Sequence, residues 1–371
     1  MEFTTELVAA AAGEPTPLLI LDRGLLRRAY RRLAASLPGA EVFYAVKANP
    51  HPEVLAILAA VGCGFEVSSA PELDQVRLLG VPMQRVISSN PVKRPDFVER
   101  AFGLGLDRFA FDSESELDKL ARYAPGARVY VRLTVDNSGS EWPLSKKYGV
   151  APDRAVELLL AAPRAGLVPY GLTFHVGSQC RDAESWVRAI ATCYEIYREL
   201  AAHGQPLEML SVGGGQPVHH LRPVPSVEEV GRRIMCAVGE LFGSEKPLIT
   251  VEPGRALVGE AGALVSSVIG RAEREDDTWV YLDAGVFNAL METIEGFRYE
   301  LRTERDGPRH PVTVAGPSCD SVDTLFTVEP LPDLDIGDRV YVMNAGAYTL
   351  SYASSFNGFE PPGVKLVDLN C

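Results

Sequence analysis

One lysine in the sequence stands where a reactive amine could be held. Lys47 follows the apolar and aromatic run Phe43-Tyr44-Ala45-Val46, and Asn49-Pro50 breaks the chain just beyond it. The pattern is typical of a buried strand with an amine at its rigid end. In a partly desolvated setting that lowers its pKa, such an amine can form a Schiff base with an aldehyde. The alternative interpretation is a lysine that extends its charge into solvent.

Polar or glycine residues also end seven other apolar runs of the chain. Taken singly, each is typical of a helix cap, a turn or a solvated charge. If the runs converge, they bring acids, an arginine and a histidine next to the lysine, which indicates a catalytic site. These residues are Glu66, Asn90, Asp112, Arg132, His175, the triplet Gly213-Gly214-Gly215, and Glu252.

The eight runs alternate with helical patterns such as 71–79, 114–123 and 226–242. Alternation of this kind predicts a parallel sheet, and eight units close a (β/α)8 TIM barrel. In such a barrel the carboxyl ends of all strands meet at one mouth, where function is built. The runs are 43–47, 64–69, 85–90, 108–113, 129–135, 170–176, 207–212 and 248–252.

Beyond Gly254 the pattern changes to short strands that Gly, Pro and Asp separate. This pattern predicts a C-terminal antiparallel β domain with little helix. We therefore expect a barrel over 24–253 and a β domain over 254–371, which residues 1–23 can join through the strand 17–22. The predicted strands of the β domain are 263–269, 278–282, 298–303, 311–315, 339–343 and 363–369.

The composition is that of a globular chain with an ample core. Of the 371 residues, 46% are hydrophobic and 23% charged, and the length fits two domains. The formal net charge of -13 disfavours nucleic acid and anionic membranes as partners, because both repel a negative protein. Glu2 and Glu6 stand where a signal peptide needs basic residues, and no apolar run approaches the length of a membrane span. A cytoplasmic location is the expectation.

The cysteines are scattered, with no Cys-x-x-Cys pair and no histidine at metal-ligand spacing. In a chain of this length they predict free thiols rather than disulfides, and no metal site. They are Cys63, Cys180, Cys193, Cys236, Cys319 and Cys371.

The groups at the predicted mouth match the needs of one cofactor. The glycine triplet exposes backbone N–H groups that suit a phosphate, although it can equally be a flexible turn. Glu252-Pro253-Gly254-Arg255 supplies a rigid carboxylate and a guanidinium that can grip phosphate. His175 offers a flat ring, or is a core histidine that the backbone satisfies. An amine, a carboxylate for a ring nitrogen, a flat side chain and a phosphate cradle are the requirements of pyridoxal 5′-phosphate.

The chain resembles the fold-type III pyridoxal-phosphate decarboxylases of the ornithine, lysine and diaminopimelate group over nearly its whole length. Each motif alone is modest, but seven in the same order are very specific. The motifs are Phe43-Tyr44-Ala45-Val46-Lys47-Ala48-Asn49, His175-Val176-Gly177-Ser178, Gly213-Gly214-Gly215, Glu252-Pro253-Gly254-Arg255, Gly316-Pro317-Ser318-Cys319-Asp320, Gly346-Ala347-Tyr348-Thr349 and Phe356-Asn357-Gly358-Phe359.

The resemblance implies an alanine-racemase-like barrel, a C-terminal β domain and a homodimer with shared active sites. By resemblance, Lys47 binds the cofactor as a Schiff base, His175 stacks on its ring, and Glu252 pairs with the pyridine nitrogen. Cys319 would reach in from the other subunit and reprotonate Cα, with Asp320 beside it. The resemblance gives the phosphate to Ser178, the glycine triplet, Gly254, Arg255 and Tyr348, with support from Glu66 and Arg132.

The implied activity is decarboxylation of a basic diamino acid such as ornithine or lysine, as in polyamine biosynthesis. Asp320 indicates a substrate with a distal cation, and the motif at Phe356 resembles ornithine decarboxylases. The stretch Met291-Glu292-Thr293 departs from the family pattern, so a second distal acid is either lost or replaced by Glu292. Arginine-like, modified or larger amino acids and meso-diaminopimelate therefore stay open as substrates.

Two other functions are weighed against this interpretation. A racemase of the same barrel would lack the acidic ring partner Glu252 and the Cys319-Asp320 segment. A non-catalytic homologue would lose Lys47 or Cys319, and both are present. The pair His219-His220 has no counterpart in the resemblance, and we expect both residues to be solvated in a loop.

Overall fold

The computed structural model describes residues 1–144, 147–274 and 277–369. Cys371 and the last residues of the predicted β domain lie outside the described residues. The α-helices in this part of the chain are α1 (Thr5–Ala11), α2 (Arg23–Ser36), α3 (Pro52–Ala60), α4 (Ala70–Leu78), α5 (Pro95–Gly103), α6 (Glu114–Tyr123), α7 (Pro152–Ala161), α8 (Glu184–Ala202), α9 (Val227–Phe242) and α10 (Arg255–Val258).

Local signals set where several helices begin. Asp22 accepts the Leu25 N–H at 2.6 Å, and Ser113 and Ser226 cap α6 and α9 in the same way. Such caps satisfy N–H groups that have no partner inside the helix. Proline stands in the first turn of α3, α4, α5 and α7, where its missing N–H costs nothing.

The strands form two eight-stranded sheets and one two-stranded ribbon. In chain order they are β1 (Leu18–Asp22), β2 (Glu41–Ala45), β3 (Gly64–Glu66), β4 (Val86–Ile87), β5 (Arg108–Phe111), β6 (Arg128–Leu133), β7 (Ser140–Trp142), β8 (Val168–Phe174), β9 (Ser178–Cys180), β10 (Met209–Ser211), β11 (Leu248–Val251), β12 (Gly262–Arg274), β13 (Asp277–Leu282), β14 (Leu301–Thr303), β15 (His310–Ala315), β16 (Thr324–Leu331), β17 (Arg339–Val342) and β18 (Gly363–Val367).

The first sheet is the predicted parallel barrel. Its order is β4-β3-β2-β11-β10-β8-β6-β5, and a parallel bridge between Ser88 and Phe109 joins the two ends. All its pairings are parallel because a helix returns the chain after most strands. The barrel prediction is confirmed, and the carboxyl ends of β2, β3, β6, β8, β10 and β11 lie around one mouth.

The second sheet contains β14-β17-β12-β13-β15-β16, and β1 pairs with both β12 and β18. It is mixed rather than antiparallel throughout, because β13–β15 and β1–β18 are parallel pairs. The predicted β domain is confirmed, and its other pairings are antiparallel as expected. Strand β16 was also not predicted, since Glu329 and Pro330 interrupt its apolar pattern. No helix within the described ranges has the length and apolar character needed to cross a membrane.

Candidate active site

A cavity of about 330 Å³ opens at the carboxyl ends of the barrel strands. It gathers side chains from positions 45 to 348 of the chain, so only the folded barrel brings them together. Gly213 does not line it, although the next two glycines do. The predicted residues that line the cavity are Lys47, Glu66, Asn90, Arg132, His175, Ser178, Gly214, Gly215, Glu252, Gly254, Arg255 and Tyr348.

Lys47 lies just beyond a strand rather than on it. Strand β2 ends at Ala45, and Lys47 occupies a 3-10 turn over Val46–Ala48. The Ala45 N–H donates to the Pro253 carbonyl at 3.0 Å, and the Tyr348 N–H donates to the Ala48 carbonyl at 2.7 Å. Two distant segments therefore fix the turn that carries the amine.

The electrostatic setting of Lys47 differs from the sequence hypothesis. Burial by itself lowers the pKa of the Lys47 amine, but Glu66, Tyr348 and Glu252 offset this and raise the pKa above its usual value. The sequence hypothesis made a lowered pKa the condition for Schiff-base formation, and the cofactor-free protein does not provide it. The Glu66 and Glu252 carboxylates, together with the Tyr348 hydroxyl, are the physical reason.

Glu252 is half-buried and directly follows strand β11. Burial and the neighbouring Glu66 raise the pKa of its carboxyl group, while hydrogen bonds from Ser211 and Ser89 and the charge of Arg132 act in the opposite direction. The protein thus supplies donors to a carboxylate that burial alone would tend to protonate.

His175 is held as a neutral ring. Its Nδ1 accepts the Gly177 N–H at 3.0 Å. Burial, with the positive charges of Arg132 and Lys47, keeps the pKa of His175 well below its usual value. A neutral aromatic ring suits stacking against another flat ring.

The glycine triplet is required by close backbone contacts. A Cβ on Gly214 would lie 2.6 Å from the Glu252 carbonyl oxygen, and one on Gly215 would lie 2.3 Å from the Gly177 carbonyl oxygen. Gly215 also has φ of +98°, which disfavours other residues. The triplet is therefore a tight backbone cradle at the rim of the cavity.

Gln216 follows the triplet and was not predicted. It lines the cavity and is 3% exposed, and among the described residues neither its amide nitrogen nor its amide oxygen has a hydrogen-bond partner. Buried amides normally have partners, so this one is available to a bound group. Its position directly after the triplet was the signal that sequence reasoning passed over.

Tyr148 and Leu144 are two further residues that sequence reasoning missed. They line the cavity from the segment that follows β6. The Arg132 guanidinium lies 5.4 Å from the centre of the Tyr148 ring. No local pattern marks these residues, because they reach the mouth from a loop rather than from a strand end.

Arg255 and Glu292 form a buried ion pair. Arg255 Nη1 lies 2.9 Å from Glu292 Oε2, its Nη2 bonds the other oxygen, and Tyr299 donates its hydroxyl to Oε2 at 3.0 Å. The guanidinium also lies between the rings of Phe297 and Tyr348, 4.8 and 4.9 Å from their centres.

This pairing bears on the role predicted for Glu292. The hypothesis assigned its carboxylate to the distal end of a substrate. In the structure Glu292 does not line the cavity, and both its oxygens are bonded to Arg255. The difference arises from a partner 37 residues away along the chain, which no local pattern reveals.

Besides Gly213 and Glu292, the predicted residues outside this cavity are Asp112, Cys319, Asp320 and Phe356. Cys319 and Asp320 are exposed, and Phe356 is 43% exposed while its ring packs against Phe287. The Cys319 N–H donates to Asn357 Oδ1 at 3.2 Å, which ties the two motifs into one surface cluster. Within a single chain they do not complete the site.

His220 is not solvated as expected. It is 7% exposed and packs edge-on against the rings of Phe297 and Tyr299. Burial and the nearby Arg255 lower the pKa of His220 to about 3. Only His219 of the pair is exposed, so this expectation was wrong for His220.

The cavity fits pyridoxal phosphate. It combines a lysine amine, a neutral imidazole, a half-buried carboxylate, a glycine cradle and an unpartnered amide. The first four groups match an aldehyde, a flat ring, a ring nitrogen and a phosphate respectively. When bound there, this cofactor accepts the electron pair released as a bond to Cα of an amino acid breaks.

Comparison with known proteins agrees with this chemistry. Residues 23–259 match the family model described as the pyridoxal-dependent decarboxylase, pyridoxal binding domain. The chain belongs to this family and is a pyridoxal-phosphate-dependent amino-acid decarboxylase.

Several known proteins match this chain over almost its whole length. The lysine/ornithine decarboxylase of Selenomonas ruminantium is 36% identical, over 95% of this chain and 90% of the relative. The ornithine decarboxylase of Schizosaccharomyces pombe is 32% identical, over 97% of this chain and 86% of the relative. The crystal structure of lysine/ornithine decarboxylase from Vibrio vulnificus, complexed with putrescine, is 33% identical with a TM-score of 0.91. The match covers 99% of this chain and 99% of the other.

Proposed function

We propose that this enzyme decarboxylates lysine and ornithine and releases CO2 with cadaverine or putrescine. The observation that carries the proposal is the likeness over nearly the full length to relatives named for these two substrates. Cadaverine and putrescine are the diamines bound in the Vibrio vulnificus structures. Polyamine biosynthesis is the setting that these products suggest.

The cofactor contacts follow from the residues around the cavity. Lys47 binds the aldehyde, His175 covers the ring, and Glu252 accepts a hydrogen bond from the protonated ring nitrogen. Glu66 and Arg132 hold the amine and ring from adjacent strand ends. The phosphate is bound by Ser178, Gly213, Gly214, Gly215, Gly254, Arg255 and Tyr348.

The reaction needs one proton at a defined atom. Loss of CO2 leaves Cα with an electron pair, and a general acid must protonate that carbon. The thiol of Cys319 is the proposed donor, and Asp320 accepts the distal ammonium of the substrate beside Phe356. All three lie on the exposed cluster described above, so they would act in the site of a second copy.

A homodimer with shared sites therefore forms part of the proposal. Cys319 is supported in this role by its exposure and by its absence from the lining of its own chain's cavity. Mixing Lys47→Ala and Cys319→Ala proteins tests it through diamine formation, which each variant alone should largely lose. The heterodimer keeps one intact site, so the mixture should regain roughly a quarter of full activity if subunits exchange at random. Monomeric mass in solution, or no regain of activity after verified exchange, contradicts shared sites.

We also propose the domain division that the sequence suggested. Residues 24–253 form the cofactor-binding barrel, and residues 254–371 with 1–23 form the β domain. The pairing of β1 with β12 and β18 supports the assignment of the N-terminal residues.

The thiols of the five described cysteines are free, which fits a reducing, cytoplasmic setting.

One observation favours a second candidate substrate. Because Glu292 is bonded to Arg255, Asp320 is left as the proposed partner for a distal cation. A modified or larger diamino acid would place less demand on a second acid than ornithine does. Arginine-like substrates and meso-diaminopimelate belong to the same comparison.

CO2 release from a panel of amino acids tests the substrate. Lysine and ornithine should be turned over fastest, ahead of arginine, meso-diaminopimelate and larger diamino acids. If lysine and ornithine are both inert while the protein binds cofactor, the modified-substrate candidate replaces the proposal. Lys47→Ala should lose both turnover and the visible absorbance of bound cofactor that borohydride removes from the wild type.

A further inference from the structure

Two hydroxyl groups on barrel strands contact the same oxygen of Glu252. Ser211, the last residue of β10, is fully buried, and its Oγ donates to Glu252 Oε1. Thr173 Oγ1, on β8, lies 3.4 Å from the same oxygen. Both contacts come from barrel strands, so the carboxylate is fixed from the barrel side through Oε1.

The Ser211 hydroxyl also reaches the glycine triplet. Its Oγ accepts the Gly213 N–H at 3.2 Å, and the Gly213 carbonyl accepts the Glu252 N–H at 2.9 Å. One hydroxyl thus links the segment that cradles the phosphate to the carboxylate assigned to the ring nitrogen. Because Ser211 Oγ accepts the Gly213 N–H, its own O–H is directed toward Glu252 Oε1.

The hydrogen bond from Ser211 bears on the protonation state of Glu252. Burial and Glu66 favour the protonated carboxyl group, whereas donated hydrogen bonds favour the ionised form. Only the ionised form can hold a proton on a pyridine nitrogen, since a protonated acid has no charge with which to stabilise a pyridinium. Loss of a buried donor would move the balance toward the neutral acid.

We propose that Ser211 is a positioning residue of this enzyme: its hydroxyl fixes Oε1 of Glu252, so that Oε2 serves as the ionised acceptor for the pyridine nitrogen of pyridoxal phosphate. The proposal rests on the cofactor assignment made above, but not on which amino acid is the substrate. It goes beyond the role given to Glu252, because it states what keeps that carboxylate ionised and oriented.

The chain offers a matched control for a role that is only structural. Ser266, in the second sheet, is also fully buried. Its Oγ donates to Asp283 Oδ1 at 2.6 Å and accepts the Ala284 N–H at 3.1 Å. Ser266→Ala therefore removes the same kind of bonds as Ser211→Ala, away from the cofactor cavity.

The test uses the full-length enzyme loaded with cofactor labelled with 15N at the pyridine nitrogen, without amino acid. In wild type and Ser266→Ala the 15N chemical shift should be that of a protonated pyridine. In Ser211→Ala the proton shared with Glu252 should move toward the carboxylate, with its equilibrium changed by about tenfold or more. Ser211→Thr, which keeps the hydroxyl, should restore the wild-type signal.

A second measurement is made on the cofactor-free chain with 13C-labelled glutamate carboxyl groups, using Glu252→Gln to assign the signal. The pKa of Glu252 should rise by about 1 to 2 units in Ser211→Ala and stay unchanged in Ser266→Ala. An unchanged 15N shift or an unchanged Glu252 pKa in folded Ser211→Ala overturns the proposal. Neither readout depends on turnover, so an error in the proposed substrate would leave both unaffected.

Discussion

Replacing Glu292 by alanine should destabilise the protein strongly, because Arg255 would keep its charge in a closed site. The Arg255 and Glu292 side chains are 4% and 5% exposed. The guanidinium is confined between the Phe297 and Tyr348 rings. Removing one partner of a buried, hydrogen-bonded ion pair costs about 3 to 5 kcal/mol. The bidentate geometry and the confinement place the expected loss in the upper part of that range.

Urea unfolding of the cofactor-free protein, followed by circular dichroism at fixed protein concentration, measures this loss. Asp96→Ala is the control, since its pair with Arg94 is exposed to solvent and should contribute little to stability. The double variant Arg255→Leu with Glu292→Leu should recover most of the stability, because it leaves no unpaired buried charge. A free energy of unfolding for Glu292→Ala within about 1 kcal/mol of wild type would refute the reasoning.

Three further predictions concern the cradle, the buried imidazole and the proton donor. Gly215→Ala should weaken cofactor binding roughly tenfold or more in a spectroscopic titration, since φ of +98° and the Gly177 carbonyl oppose a Cβ. Strain of this kind costs about 1 to 3 kcal/mol. Gly239→Ala, at an open helical position, should bind cofactor normally in the same titration. His220 has a pKa of about 3 in the folded protein and takes up a proton near its ordinary, higher pKa once unfolded, so stability falls as pH decreases across that interval. His220→Leu should flatten this acid limb in unfolding experiments, and parallel limbs would contradict the cause. Cys319→Ala should slow CO2 release by roughly a hundredfold or divert product to an aldehyde, with cofactor absorbance retained; unchanged rate and product would exclude the thiol as donor.

The sequence by itself determined the barrel and the position of Lys47 at its mouth. The apolar runs are local, and alternation with helices leaves a parallel sheet as the solution that buries them. Polar residues at run ends such as Glu66, Arg132 and His175 could be placed together because barrel geometry brings all strand ends to one mouth. The glycine triplet was also readable, since backbone approach of this closeness leaves room for no Cβ.

The second sheet was harder to predict. Its strands are short, and their order does not follow the chain, so the parallel pairs β13–β15 and β1–β18 have no local signature. Strand β16 carries a proline and a glutamate that mask its period. Pairing across a sheet depends on partners that are distant in sequence, which periodicity does not encode.

Only the tertiary structure decided the electrostatics of the site. Glu292 is bonded to Arg255 rather than lining the cavity, and His220 is enclosed by Phe297 and Tyr299 instead of solvent. The pKa of Lys47 is raised rather than lowered, because Glu66, Tyr348 and Glu252 together outweigh desolvation. Residue types and spacing identify which groups can take part in chemistry. Their charge states depend on burial and on neighbours from other elements, so they exist only once the chain has folded.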